Sequence, residues 1–133
     1  MAEYLLDANH ASPLVTVGHP LRRRVLQELR LGHEFFIAVP ALAEVLFGFS
    51  TLPRAISNRA EWVRLSRFIP CFELDAENAK LAASLQVMLR RVGRDLKLSD
   101  ALIATVALSY DLILLTTDKD FSPVPGLKIE NWL

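Results

Sequence analysis

A single cysteine, Cys71, rules out an internal disulfide in this chain of 133 residues and points to a reducing, cytoplasmic setting. Cys71 lies in an apolar segment and reads as a small buried hydrophobe. No apolar run approaches the ~20 residues that cross a bilayer. The opening MAEYLLDAN carries acids at positions 3 and 7, so neither a membrane span nor a signal peptide is expected. Net charge is missing as well. Fifteen basic residues balance fifteen acidic ones, which argues against coating nucleic acid by bulk charge but leaves room for a local basic patch. Internal repeats, low-complexity tracts and linker-like stretches are absent. What is present is apolar material, 52% of the residues, enough for one domain over 1–133 that buries about two-thirds of its unfolded surface.

The apolar residues fall into alternating short runs and helical stripes. Tyr4-Leu5-Leu6 reads as a buried strand ending at Asp7. Leu21, Val25, Leu26 and Leu29 repeat at helical spacing from Pro20 to Gly32, and Phe35 to Val39 is a second strand. Pro40 suits the start of a helix with Leu42, Val45, Leu46 and Phe49 on one face. Pro53 opens a further helical stretch carrying Ile56, Ala60, Val63 and Leu65. Ile69 to Leu74 is a third strand. Asp75 caps the next helix, whose stripe is Leu81, Leu85, Met88, Leu89 and Val92. Ser99 caps an almost wholly apolar helix running to about Tyr110, which should be deeply buried. Leu112 to Leu115 and Leu127 to Ile129 complete the strands. Strands alternating with helices imply an α/β fold, a parallel sheet of four to five strands between two helical layers.

In such sheets ligands bind beyond the carboxyl ends of the strands. Asp7 and Asp118 lie just past strand ends, and Glu44 and Asp100 lie near the starts of helices that pack beside them. Each has an ordinary explanation alone: a cap, a solvated helix face, a first-turn acid or a turn former. Together they would repel by about 3 kcal/mol per pair at ~5 Å and an effective dielectric of ~20, a cost that a divalent cation offsets. An all-oxygen donor set without a histidine or cysteine cluster favours Mg²⁺ or Mn²⁺ over zinc. Asn9 and Thr116 stand beside the first and fourth acids as supporting groups. Ala104 and Ala107 share the face of Asp100 and should leave room for a pocket.

The blocks YLLDAN, VPALAEVLFG and LKLSDALIATVALSYDLILLTTDKDF resemble those of PIN-domain ribonucleases, in particular the small VapC-type toxins of bacterial toxin–antitoxin pairs. The resemblance runs over nearly the whole chain. It departs at Ala8, where many members carry Thr or Ser. It implies a PIN-like α/β/α sandwich and a metal-dependent endoribonuclease with Asp7, Glu44, Asp100 and Asp118 holding one or two Mg²⁺ or Mn²⁺ ions. Asp118 is favoured as the fourth acid, with Asp120 supporting the loop. Water would attack in line, leaving 5′-phosphate and 3′-hydroxyl ends. The resemblance also implies a VapB-type antitoxin whose C-terminal segment lies across the active-site groove, between the helix at 41–49 and the segment at 53–67. Phe47, Phe49 and Leu52 are candidate anchors there, although each reads more simply as core.

Lys119, Arg22 and Arg91 are candidate contacts to RNA, and a homodimer would join two basic edges into one groove. Trp62 and Trp132 read as packing residues, and His10 as a surface or turn residue. Two rivals remain: a PIN module that binds RNA or protein without cutting, and an aspartyl phosphotransferase. The latter needs a second aspartate two residues after the first, where this chain has Asn9.

Overall fold

Tyr4, Leu5 and Leu6 are all buried, although successive strand side chains point to opposite faces. Both faces of this strand are therefore covered, as in a parallel sheet enclosed by helices. The computed structural model describes residues 1–133 and contains such a sheet. Its strands are β1 (Glu3–Leu6), β2 (Glu34–Ala38), β3 (Cys71–Phe72), β4 (Ile113–Leu115) and β5 (Lys128–Glu130). They are all parallel, in the order β3-β2-β1-β4-β5. Six helices flank the sheet: α1 (Ala8–Ala11), α2 (Pro20–Arg30), α3 (Val39–Ser50), α4 (Ala55–Leu65), α5 (Ala76–Arg91) and α6 (Leu98–Ser109). No helix is long and apolar enough to cross a membrane.

The winding of the chain decides where a crevice opens. From β1 the chain runs outward to β2 and β3, then returns to place β4 on the other side of β1. The strand order reverses between β1 and β4, and the crevice beyond that point is where open α/β sheets bind ligands. Residues at the carboxyl ends of these strands become neighbours: Tyr4 pairs with Ile113 and Leu6 with Leu115, and the Asp7 N–H donates to the Leu115 carbonyl at 3.0 Å.

The helices follow their sequence signals in most places. Pro40 stands in the first turn of α3, and Ala41, Val45 and Phe49 form its buried stripe. Asp75 caps α5 in a reciprocal capping box with Asn78. The burial of α6 is as its composition demands, with Ala101 and the run Ile103 to Ala107 inside.

Several local expectations need correction. The third strand is only Cys71–Phe72, and Cys71 is exposed, because β3 lies at the sheet edge. On α4 the buried residues are Trp62 and Leu65, whereas Ile56 and Val63 face solvent. On α5 the buried stripe is Ala82, Leu85 and Leu89, which leaves Leu81, Met88 and Val92 exposed. Lys97, not Ser99, stands at the N-cap of α6, with no side-chain cap bond. The segment after Asp7 forms α1 and a 3-10 turn, Ser12–Val15, neither of which is long enough to show as a periodic stripe.

Candidate active site

Asp7 ends β1 and caps α1. Its carboxylate is buried and receives three donors: the Ala8 N–H to Oδ1 at 2.8 Å, and the Thr116 hydroxyl at 2.7 Å and Asn9 amide at 3.2 Å to Oδ2. Thr116 closes β4 on the adjacent strand end. Its Oγ1 also accepts the Asp118 N–H at 3.0 Å, so its own proton is directed to Asp7. Asp118 in turn accepts the Asp120 N–H at 2.8 Å and caps a 3-10 turn, Lys119–Phe121, anchored by the fully buried Phe121. One hydroxyl thus ties the first and fourth acids together.

Glu44 and Asp100 arrive from helices. Glu44 lies off the buried stripe of α3 and is exposed. Asp100 is in the first turn of the buried helix α6, so its backbone is held by the core. Asp7, Glu44, Asp100 and Asp118 line one open cavity of about 400 Å³, together with Ala8, Asn9, Ser12, Gly48, Lys97 and Ser99. Asp100, Asp118 and Asp120 also bring carboxylate oxygens within 4.8 Å of one another. The choice between Asp118 and Asp120 has a geometric answer in part. Both approach Asp100, but only Asp118 lines the cavity.

The electrostatics are those of an unbalanced site. Burial pushes the Asp100 carboxyl up to about 6, and Asp7 and Asp118 push in the same direction against a smaller opposing effect of Lys97. Asp100 Oδ2 is buried and without a hydrogen-bond partner. None of the five acids takes part in an ion pair. Buried carboxylate oxygens normally find a donor or a cation. A hard divalent ion fits this donor set, since it would partner the orphaned oxygen and offset the mutual repulsion.

Other expected site residues lie elsewhere. Arg22 is not free to hold a ligand. It pairs with Glu61 at 2.8 Å and donates to the Leu14 carbonyl at 2.8 Å, joining α2 to α4. Arg64 and Arg22 together hold the Glu61 carboxyl below its usual range. Arg22→Ala is expected to cost roughly 1–3 kcal/mol in denaturant unfolding, because it strips a charge-assisted bond and leaves the Leu14 carbonyl unpaired. Lys119 and Arg91 are exposed but do not line the cavity. Ala104 and Ala107 are buried inside α6 and do not shape the pocket. The small residues that line it are Ala8, Ser12, Gly48 and Ser99 instead.

Lys97 is the cation that the sequence reading missed, and it marks itself only by preceding the Ser99-Asp100 pair. His10 is wholly buried rather than a surface group, and burial holds its pKa down at about 4. Phe49 is core, as read, but Phe47 and Leu52 are exposed. Trp62 is buried and Trp132 half-buried, with the Arg24 guanidinium 3.7 Å above the Trp132 ring.

Comparison with known proteins places this geometry in context. No curated protein sequence matches the chain. Solved structures resemble it closely in fold. One is VapBC2 from Rickettsia felis bound to a promoter DNA fragment, with a TM-score of 0.84 and 22% identity over 98% of this chain and 99% of that one. DNA-bound VapBC from Salmonella typhimurium has a TM-score of 0.81 and 23% identity, with both chains fully covered. VapC20 of Mycobacterium tuberculosis, described as a sarcin–ricin loop cleaving toxin, has a TM-score of 0.66 and 17% identity over 92% of this chain and 95% of that one. The family model of the PIN domain matches residues 4–127. That span takes in β1 from its second residue, all of β2 to β4 and every acid that lines the cavity, and the chain belongs to the PIN-domain family.

Proposed function

We propose that residues 1–133 act as one PIN domain, a metal-dependent endoribonuclease that serves as the toxin of a toxin–antitoxin pair. The observation that carries this reading is the gathering of carboxylates without an ion-pair partner at the reversal of strand order, with the buried Asp100 Oδ2 lacking any partner. Asp7, Glu44, Asp100 and Asp118 would hold one or two Mg²⁺ or Mn²⁺ ions, with Asp120 in reach of Asp100 and Asp118. When bound, such an ion polarises a phosphodiester and makes water more acidic.

The chain's own groups do the rest. Thr116 and Asn9 fix the Asp7 carboxylate in one orientation. Whichever of the site's carboxylates stands off the metal would orient the attacking water and receive its proton, and Glu44 is the exposed one on the cavity lining. In-line attack leaves 5′-phosphate and 3′-hydroxyl ends. Lys97 on the cavity lining meets the phosphate backbone first, with Lys119 and Arg91 further out as secondary contacts.

RNA as substrate and a VapB-type antitoxin as partner are supported by the fold shared with toxin–antitoxin complexes and with a toxin described as cleaving the sarcin–ricin loop. Phe47 and Leu52 are exposed large apolar groups on and just after α3. They suit the anchoring of an antitoxin segment whose basic side chain reaches the acids. A homodimer and a cytoplasmic location complete the reading.

The test is cleavage of total RNA with Mg²⁺, comparing the parent, the parent with chelator, and Asp7→Asn. The amide at position 7 would turn an NH₂ toward at least one existing donor, so activity should fall on the order of a hundredfold. Equal cleavage by parent and variant, or cleavage indifferent to chelator, rejects the mechanism.

A further inference from the structure

His10 is the one fully buried titratable side chain that the proposed reaction leaves without a task. Its surroundings have directions that can be worked out from donors that cannot reverse. The Trp132 backbone N–H lies 3.0 Å from His10 Nε2. A peptide N–H only donates, so Nε2 must accept and carry no proton. The neutral ring then bears its proton on Nδ1, which lies 2.6 Å from Asn9 Oδ1. The Thr117 backbone N–H, 3.1 Å away, also donates to that oxygen. Two donors therefore converge on Asn9 Oδ1 and fix which end of the amide faces them. The amide nitrogen is left facing Asp7 Oδ2 at 3.2 Å and Thr116 Oγ1 at 3.3 Å. A flipped Asn9 would set its NH₂ against both donors and its oxygen against a carboxylate.

The far end of this chain of bonds is held as firmly. Trp132 has Arg24 over its ring, Tyr4 edge-on at 4.8 Å, Phe35 at 5.8 Å, and an indole N–H donating to Glu130 at 2.9 Å. These contacts place its backbone N–H against a histidine 122 residues earlier.

We infer that His10 is a positioning residue of the catalytic centre: selected as its Nδ1–H tautomer by Trp132, it locks the Asn9 amide so that its NH₂ is presented to Asp7. The inference rests on the ribonuclease reading for what Asp7 does, but the lock itself is independent of it. Groups that orient metal-binding side chains typically contribute 10–100-fold to metal affinity or activity.

The first measurement is made on the unmodified protein. Long-range proton–nitrogen correlation of the His10 ring should show the proton on Nδ1 and none on Nε2; a ring protonated on Nε2 overturns the inference. The second compares His10→Phe, which removes both ring nitrogens, with His10→Asn, whose side-chain amide can replace the Nδ1 donor. His10→Phe should weaken Mn²⁺ binding by about tenfold or more in calorimetry without RNA, and lower kcat similarly at unchanged KM. His10→Asn should recover most of the Mn²⁺ affinity. Parental Mn²⁺ affinity in a cooperatively melting His10→Phe, or equal losses in both variants, overturns the inference. Should His10→Phe fail to fold, the tautomer and His10→Asn still decide. Should the parent cut no RNA, the ribonuclease reading falls, while the tautomer and the Mn²⁺ affinities still decide whether His10 positions the site.

Discussion

Asp100→Asn is expected to reduce RNA cleavage on the order of a thousandfold and, with chelator present, to raise the melting temperature by several degrees. Both effects come from one cause. Burial and the carboxylates of Asp7 and Asp118 raise the Asp100 pKa to about 6 from an ordinary value of 3.8. Near neutral pH the ionised side chain is therefore held at a disadvantage of about 1–3 kcal/mol relative to the unfolded chain, solvent screening at its partly open position reducing the full effect. An asparagine keeps the shape and removes the charge. The expected gain of 1–3 kcal/mol converts at roughly 3–5 °C per kcal/mol for a domain near this size. The gain should vanish when the parent is saturated with Mn²⁺, because the ion then stabilises the parent and not the variant. Calorimetric melting with and without Mn²⁺ checks this. A variant less stable than the metal-free parent would mean that Asp100 is not strained by its neighbours.

The second large effect concerns acid. His10 has its pKa held at about 4 in the fold against an ordinary value of 6.5. The unfolded chain therefore takes up the proton first, and stability from His10, complete above pH 6.5, is lost as pH falls toward 4. Asp100 has the opposite sign. The folded protein takes up its proton from about pH 6, whereas the unfolded chain waits until about 3.8, so acidification through that window adds stability. The His10 contribution is roughly 3 kcal/mol and that of the partly exposed Asp100 about 1–3 kcal/mol, and the windows overlap. With metal removed, the two should nearly cancel between pH 6.5 and 4.5. Asp100→Asn removes one side of the balance, and its stability should then drop by about 2–3 kcal/mol over that range. Urea unfolding of both proteins at several pH values is the measurement, and parallel profiles would refute the opposed pair.

Strand–helix alternation carried much of the architecture because apolar runs and stripes report burial directly. Proline at position 40 and the cap at Asp75 marked helix starts through local chemistry, and both hold in the fold. The cavity's acids were findable for a similar reason, Asp7 and Asp118 standing just past apolar strands and Glu44 and Asp100 near the starts of apolar helices. Features set by distant partners were not readable. The buried face of α4 depends on Trp62 meeting Phe49, and nothing within the α4 sequence prefers Trp62 and Leu65 over Ile56 and Val63. Arg22 read as a free basic group, and only the return of α4 brings Glu61 to it. His10 sits in a helix of four residues, too short for any periodicity, and its burial needs the C-terminal tail. Cys71 was misjudged because apolar neighbours do not reveal that their strand is at an edge.

Thr116 and Asp7 touch across 109 residues of intervening chain. Contacts of such long range form late, after the cost of closing the loop has been met. A nascent polypeptide emerging from the ribosome, N-terminus first, displays Asp7 long before Asp118 exists. The acidic cluster of this fold is thus complete only once the chain has been made through residue 118, and no shorter N-terminal piece carries the full set of acids.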